Sequence, residues 1–388
     1  MIARIFILII ILTILPDFYI DAHYFRHKKH YTWWKRLIWW LPCLAMIVYT
    51  IKLALEKDFV PTNMSVINVY LFLLGLLVIP KFIFMMFSFI GWQICKWRHT
   101  HINIGNIIGM VAGASSIFTL MYGSTIGIRG LDVTHIDFYS DKLPEEFEGY
   151  RIVQFTDAHV GSFNGKRKEI LRELIDSINA QKGDVIVFTG DLQNKQPSEL
   201  YPVQELLGRL GAPDGVYSIL GNHDYSEYIY ADDTIKRQKE QEHIRAQRSY
   251  GWKLLLNEND KIYRGKDSIV IAGSENDGKP PFPEKADYKK TMKGISKDAF
   301  VIMLQHDPSA WEGNVLTKTN AELTLSGHTH GMQFKAFGWS PASMAYDEWG
   351  GLYYKGDRAI YVSTGIGGVV PFRLGLKPEI AVITLHRK

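Results

Sequence analysis

The stretch RIVQFTDAH, residues 151–159, decides the reading of this chain. Ile152, Val153 and Phe155 make a β-favouring run that ends in Asp157 and His159, so a buried strand hands a carboxylate and an imidazole to one loop. The residue between them turns away, and both side chains reach one point. Outward from this stretch the pattern recurs four times. DVIVFTGD (184–191) ends in Asp191, VYSILGNHD (216–224) in Asn222, His223 and Asp224, AFVIMLQH (299–306) in His306, and ELTLSGHTH (322–330) in His328 and His330. Later strands are expected at 269–273, 360–363 and 380–385. Helices are expected at 166–181, 198–210 and 232–250, the last highly charged and read as a solvated face. Strands alternating with helices imply an α/β fold with a parallel-type sheet, whose ligands gather beyond the C-terminal strand ends. The Lys- and Pro-rich segment 277–297 reads as a flexible loop.

Oxygen and imidazole donors without thiolate suit Mn, Zn or Fe, and a carboxylate between two ions can bridge them at about 3.5–4 Å. Asp191 is the natural bridge. His135, His243 and His386 follow no such strand and read as structural or surface residues. Only two cysteines, Cys43 and Cys95, are present, which excludes a disulfide framework and a thiolate zinc site.

The first third has a different texture. Before residue 131 there are 12 Lys and Arg against 4 Asp and Glu, which leaves 32 against 36 for the rest of the chain. The basic excess lies between long apolar runs, which points to a membrane rather than to nucleic acid. Runs at 37–55, 66–90 and 99–128 are long enough to span a bilayer. The run from Ile5 to about Ile20 meets Pro16 and Asp17 early, so a span has a cleaved signal peptide as its rival, and the absence of small-residue cleavage chemistry favours the span. Lys81, after Pro80, is the one charge well inside a span and has no evident partner; a functional ion and a snorkelling stem are its two readings. Seven basic residues in two loops against three on the other side place those loops inside, which puts the C-terminal part on the extracytoplasmic face.

Taken in order, the five ligand-bearing stretches resemble the signature of the calcineurin-like metallophosphoesterases, D-x-H, G-D, G-N-H-D/E, H and G-H-x-H. The resemblance runs from about Arg151 to Leu385, and GHTHGMQF, YVSTGIGG, PFRLG and PEIAVITL are similar to its membrane-associated bacterial branch. That branch includes hydrolases of lipid-linked and nucleotide-sugar diphosphates. The resemblance implies a four-layer α/β/β/α metallophosphoesterase sandwich over 131–388, and the apolar runs place four transmembrane helices before it in 1–130. It implies two divalent ions, with manganese expected and zinc or iron as alternatives. Asp157, His159 and His330 with Asp191 would hold one, and Asn222, His306 and His328 with Asp191 the other. His223 would be the catalytic residue, stabilising the transition state or protonating the leaving oxygen as a water held by the ions attacks in line, with Asp224 orienting it. Leu192-Gln193-Asn194 and Gly331-Met332 depart from the common pattern and bear on pocket shape rather than on ligands.

The expectation is a membrane-anchored phosphoesterase of a phosphoester or diphosphate. Its partners would be the bilayer and a phosphorylated small molecule or lipid, without nucleic acid or any indicated protein partner. A phosphodiesterase acting on soluble nucleotides or nucleic acid and a catalytically inactive binding protein on the same fold are the alternatives. Trp339, Met344, Tyr346 and Trp349, with Val369, Val370 and Phe372, would either dip into lipid or pack on the sheet. Arg373 would meet a second phosphate or make a surface salt bridge.

Overall fold

The computed structural model describes residues 2–388 except His27, Lys29, Thr62 and Asn164, and the backbone alone of Lys166. The chain forms two compact units, 1–125 and 126–388.

In the first unit, Phe6–Phe25, Trp33–Ala54, Met64–Arg98 and Ile104–Thr125 are helical runs long and apolar enough to cross a membrane. The first comprises α1 (Phe6–Ile20) and a π-turn over Asp21–Phe25, so Pro16 does not end it. The objection raised by Asp17 is met from elsewhere in the fold. Asp17 accepts two hydrogen bonds from Lys81 Nζ at 2.8 and 3.0 Å, which supplies the partner that sequence alone did not show for either residue. After α2 (Trp33–Ala54), the long third run breaks at Val78 into α3 (Met64–Leu77) and α4 (Ile79–Arg98), with Pro80 in the first turn of α4. A proline there loses no intrahelical bond, because that N–H is unpaired in any helix. α5 (Ile104–Thr125) lies tightly against α4. A Cβ on Gly105 would stand 2.1 Å from Phe87 O, so the spaced glycines 105, 109 and 113 set the approach of the two backbones.

The second unit holds twelve strands among the described residues: β1 (Asp132–Ser140), β2 (Arg151–Phe155), β3 (Val185–Phe188), β4 (Val216–Ser218), β5 (Lys253–Leu254), β6 (Glu258–Arg264), β7 (Asp267–Gly273), β8 (Val301–Leu304), β9 (Leu323–Ser326), β10 (Gly351–Lys355), β11 (Arg358–Val362) and β12 (Glu379–Arg387). They make two six-stranded sheets, β1-β12-β2-β3-β4-β5 and β10-β11-β9-β8-β7-β6. Both are mixed rather than wholly parallel. β2 runs antiparallel to β12, β6 to β7 and β10 to β11, because the added strands return by hairpins or from the chain end.

The apolar runs are continuous because each central strand is buried on both faces. Ile152, Val185 and Val187 point between the sheets and meet Ile269, Ile271, Ile302 and Leu325. The alternate residues Val153, Phe155, Ile186 and Phe188 pack outward on Leu171, Leu174, Ile175 and Ile178 of α6 (Lys168–Ala180). On the far side, Val270, Val301 and Met303 meet Tyr288, Trp311 and Val315 of short helical segments. The layers are therefore α/β/β/α.

Three local expectations change. Residues 198–210 form short turns at Pro197–Glu199, Tyr201–Val203 and Gln204–Leu207 rather than one helix, as Pro202 interrupts the pattern. α7 (Asp233–Ser249) is not wholly solvated, since it buries His243, Ile244 and Gln247. The 277–297 segment is tied down: Tyr288 is buried, and its hydroxyl donates to Asp277 Oδ2 at 2.7 Å.

Candidate metal centre

Five of the seven candidate ligands leave their strands through a backbone conformation that L-residues rarely adopt. Asp157, His159, Asp191, His328 and His330 have φ of 53°, 43°, 63°, 72° and 50°. Five such turns, each costing on the order of 1 kcal/mol, persist only where the surrounding fold holds them. Gly190 shows how tight the place is, since a Cβ there would stand 2.6 Å from Gly221 N and 2.7 Å from His306 Nδ1.

The side chains converge in three overlapping groups: Asp157, His159 and His330; His159, Asp191 and His223; and Asp191, His306 and His328. Asp191 is common to the last two. Its Oδ2 lies 3.3 Å from His306 Nε2 and 3.6 Å from His159 Nε2, while its Oδ1 accepts the His223 backbone N–H at 2.8 Å. Asn222 joins through Oδ1, 2.8 Å from His328 Nδ1, and its amide donates to Tyr228 OH at 2.7 Å. All eight residues singled out from the sequence are thus brought to one place.

Proton accounting shows what the cluster lacks. His306 Nδ1 faces the Thr189 carbonyl at 2.7 Å, so it carries the proton and a neutral ring has a bare Nε2, buried and without a hydrogen-bond partner. That bare nitrogen faces a carboxylate oxygen. His159 Nε2 and His330 Nε2 face each other at 3.1 Å, and the buried, unpartnered Asp157 Oδ1 lies 3.2 Å from His330 Nε2. Ligand atoms crowded at this range, each needing a proton or a cation between them, are the arrangement that a metal ion relieves, and the donor set of oxygens and imidazoles fits divalent ions. Burial pulls the imidazoles of His159 down to about 3 and of His328 down to about 4, so both are neutral and able to ligate. Burial works to raise Asp191, but the His306 and His223 charges outweigh it and hold the carboxyl below its usual range. Burial likewise opposes charge on His306, yet with no ion present Asp191 pushes it up to about 10, so an ion bound at Nε2 takes the place of a proton there.

Outer partners fix these rings. Tyr346 OH stands 2.9 Å and Asp307 Oδ2 3.4 Å from His328 Nε2, and the Phe282 ring packs edge-on against the same imidazole. His223 Nδ1 is held by the Asn194 carbonyl. Asp224 does not orient His223 as the sequence suggested. Its carboxylate accepts the backbone N–H groups of Asp191, Leu192, Gln193 and Gly221, pinning the turn that carries Asp191. His243, read as structural, is buried with Nδ1 2.9 Å from Gln193 Oε1. Asp307 was missed by sequence reasoning, and Asn194 and Tyr346, read there as bearing on pocket shape and on an apolar rim, stand instead beside the candidate ligands. Only Asp307, next to His306, carried a signal that could have found it.

Arg373 is buried with its guanidinium spent on the carbonyls of Thr364, Gly365, Gly367 and Lys377, so it is neither a phosphate contact nor a surface bridge. Of the apolar residues after the last motif, Tyr346 and Trp349 are half-buried, whereas Trp339 and Met344 are exposed along with Met332 and Phe337.

A model of the calcineurin-like phosphoesterases matches residues 150–332, and one described as a probable calcineurin-like phosphoesterase transmembrane domain matches residues 3–128. The metallophosphoesterase YkuE of Bacillus subtilis is 33% identical over 264 residues, 66% of this chain and 85% of that protein. The chain belongs to the calcineurin-like metallophosphoesterases. This metallophosphoesterase is also similar to a transmembrane protein with metallophosphoesterase domain from Danio rerio, 30% identical over 69% of this chain and 60% of that one. The UDP-2,3-diacylglucosamine pyrophosphatase LpxG of Chlamydia trachomatis is 24% identical over 70% of this chain and 94% of its own. With four apolar helical runs and this fold, the protein is a multi-pass membrane hydrolase of phosphate esters.

Proposed function

We propose that this metallophosphoesterase hydrolyses the phosphoester or diphosphate of a lipid-linked substrate at the extracytoplasmic face of the membrane. The observation that carries the reading is the set of closely opposed oxygen and imidazole ligand atoms around Asp191, buried and built on five strained turns. Asp157, His159, Asp191 and His330 would hold one divalent ion, and Asp191, Asn222, His306 and His328 the other, with manganese the first to test. Such ions neutralise phosphoryl oxygens and lower the pKa of water. Four spans in the same chain and the similarity to LpxG, a UDP-2,3-diacylglucosamine pyrophosphatase, support a lipid substrate. The seven-to-three distribution of loop charge supports the outer face.

His223 is the residue set to move a proton. Its Nδ1–H is held by the Asn194 carbonyl and its backbone by Asp191, which leaves Nε2 as the working atom. Water adds to phosphorus and sheds one proton to solvent, the bond to the leaving oxygen breaks, and the Nε2–H of His223 gives its proton to that oxygen, His223 then regaining a proton from solvent.

The test is phosphate-product analysis of full-length, manganese-loaded protein given total membrane lipid, with Asp191→Ala as control and a soluble phosphodiester for comparison. Lipid turnover by the wild type alone is the expected result; turnover of the soluble ester alone would end the lipid reading. His223→Ala is expected to keep its metal and lose about 10²–10⁴ in rate. Normal hydrolysis by that variant would remove the role given to His223.

A further inference from the structure

Beside the metal centre lies a narrow, mostly apolar slot walled by Ile128, Phe163, Ile170, Ile366, Val370 and Pro371. It is continuous with the centre through the backbone. Ile366 N and Gly367 N donate to the carbonyls of Thr156 and Asp157, and Ser162 N donates to that of His159. The polar side chains along the slot are already engaged, with one exception. Ser162 Oγ lies 3.2 Å from Val369 O, Gln333 Nε2 donates to Val370 O at 3.0 Å, and Arg373 is spent on carbonyls. Arg167 also lines the slot, half-buried at the start of α6, and makes no hydrogen bond or ion pair among the described residues. Partial burial without a partner pulls its guanidinium below the usual value.

A cation without a partner among the described residues, set against hydrocarbon-lined walls, is complementary to an amphiphile whose anionic group sits next to an alkyl chain. Ile128 stands three residues after Thr125, where the last membrane helix ends, and Met332, next in sequence to the slot residue Gln333, is exposed. We propose that this slot is the enzyme's lipid subsite, taking the first methylenes of a single hydrocarbon chain while Arg167 pairs with the anionic group nearest that chain. The inference rests on the lipid reading above and adds the chemistry by which the substrate is chosen.

Equilibrium binding tests it without turnover. Full-length protein in nanodiscs is titrated with dodecyl phosphate and with methyl phosphate, for the wild type, Ile170→Trp and Arg167→Gln. Partitioning of the long-chain probe into the nanodisc lipid is common to all three proteins. The wild type is expected to favour dodecyl over methyl phosphate at least about tenfold more than Ile170→Trp, whose indole fills the slot. Arg167→Gln is expected to weaken dodecyl phosphate about tenfold, and it decides the matter if Ile170→Trp does not fold. Dodecyl phosphate affinity equal in the wild type and in Arg167→Gln would overturn the proposal. Binding with these variant effects, but no hydrolysis of any lipid by the loaded enzyme, would uphold the slot and remove the catalytic reading instead.

Discussion

The membrane unit and the catalytic unit both bury carboxylates, and they treat them in opposite ways. Asp17 is 2% exposed and has both oxygens on Lys81, an equal number of positive and negative charges closed on themselves. Asp157 and Asp191 are as deeply buried, but they face a cluster of imidazoles rather than a permanent cation, with Asp157 Oδ1 unpartnered. A self-compensated pair needs nothing more, whereas a surplus of lone pairs is a site waiting for a ligand. The distinction between structural and functional burial therefore lies in whether the charges balance, not in depth.

The largest effect follows from breaking the unbalanced side. Asp191→Ala removes the one carboxylate shared between two donor groups, so metal content and phosphate release should fall together, the latter at least about a thousandfold. Metal analysis beside an activity assay checks it, and a variant that keeps both ions would refute the bridging assignment. Next comes the balanced side. Asp17→Asn leaves Lys81 uncompensated and should cost about 3–5 kcal/mol of stability, while replacing both residues by leucine should recover most of that loss. Thermal unfolding in detergent reads both, and a double variant no better than the single would show that the pair does more than cancel itself.

How much of this was legible in the sequence follows the same division. The ligands could be read because each ends an apolar run, and a run buried on both faces is visible without a partner. β1, β6 and β10 were missed because edge strands alternate polar with apolar residues, as in DVTHIDFYS of β1, and resemble loops. The Lys81–Asp17 pair joins residues 64 apart in sequence, and only the packing of α1 on α4 creates it. Asn194 acts through its carbonyl, which no residue type reveals. Arg373 was misread because an arginine in a loop has no sequence mark that separates a free guanidinium from one buried on four carbonyls.

A smaller effect sharpens the comparison from the catalytic side. Asp157 Oδ2 accepts the His328 N–H at 2.9 Å, but Oδ1 faces His330 Nε2 with no proton assigned between them, and burial raises the carboxyl above its usual range. Asp157→Asn keeps one acceptor and offers an N–H to His330, so the metal-free protein should gain on the order of 1 kcal/mol while losing metal binding. Chelator-treated wild type and variant compared by thermal melting test this. A variant less stable than the wild type would mean that the acceptor surplus costs the fold nothing.

The smallest effect comes from charges that are not buried at all. On β12, His386 Nδ1 lies 2.7 Å from Glu148 Oε1 and Nε2 lies 3.2 Å from Asp137 Oδ1, with the ring stacked on Tyr139 across the β1–β12 ladder. The Glu148 hydrogen bond, more than any other contact, raises the His386 pKa above 6.5. The folded state thus holds a proton that the unfolded chain has released. The stabilisation is fully present below the unfolded value and is lost as pH rises through the folded one. Because all three groups face water, solvent screening limits the gain to a few tenths of a kcal/mol. His386→Gln should therefore melt slightly below the wild type at about pH 5.5 and together with it at about pH 9. A difference that grew with pH would reverse the sign of the linkage. A loss of several kcal/mol would mean that exposure does not protect a charge cluster from the costs seen at Asp17 and Asp157.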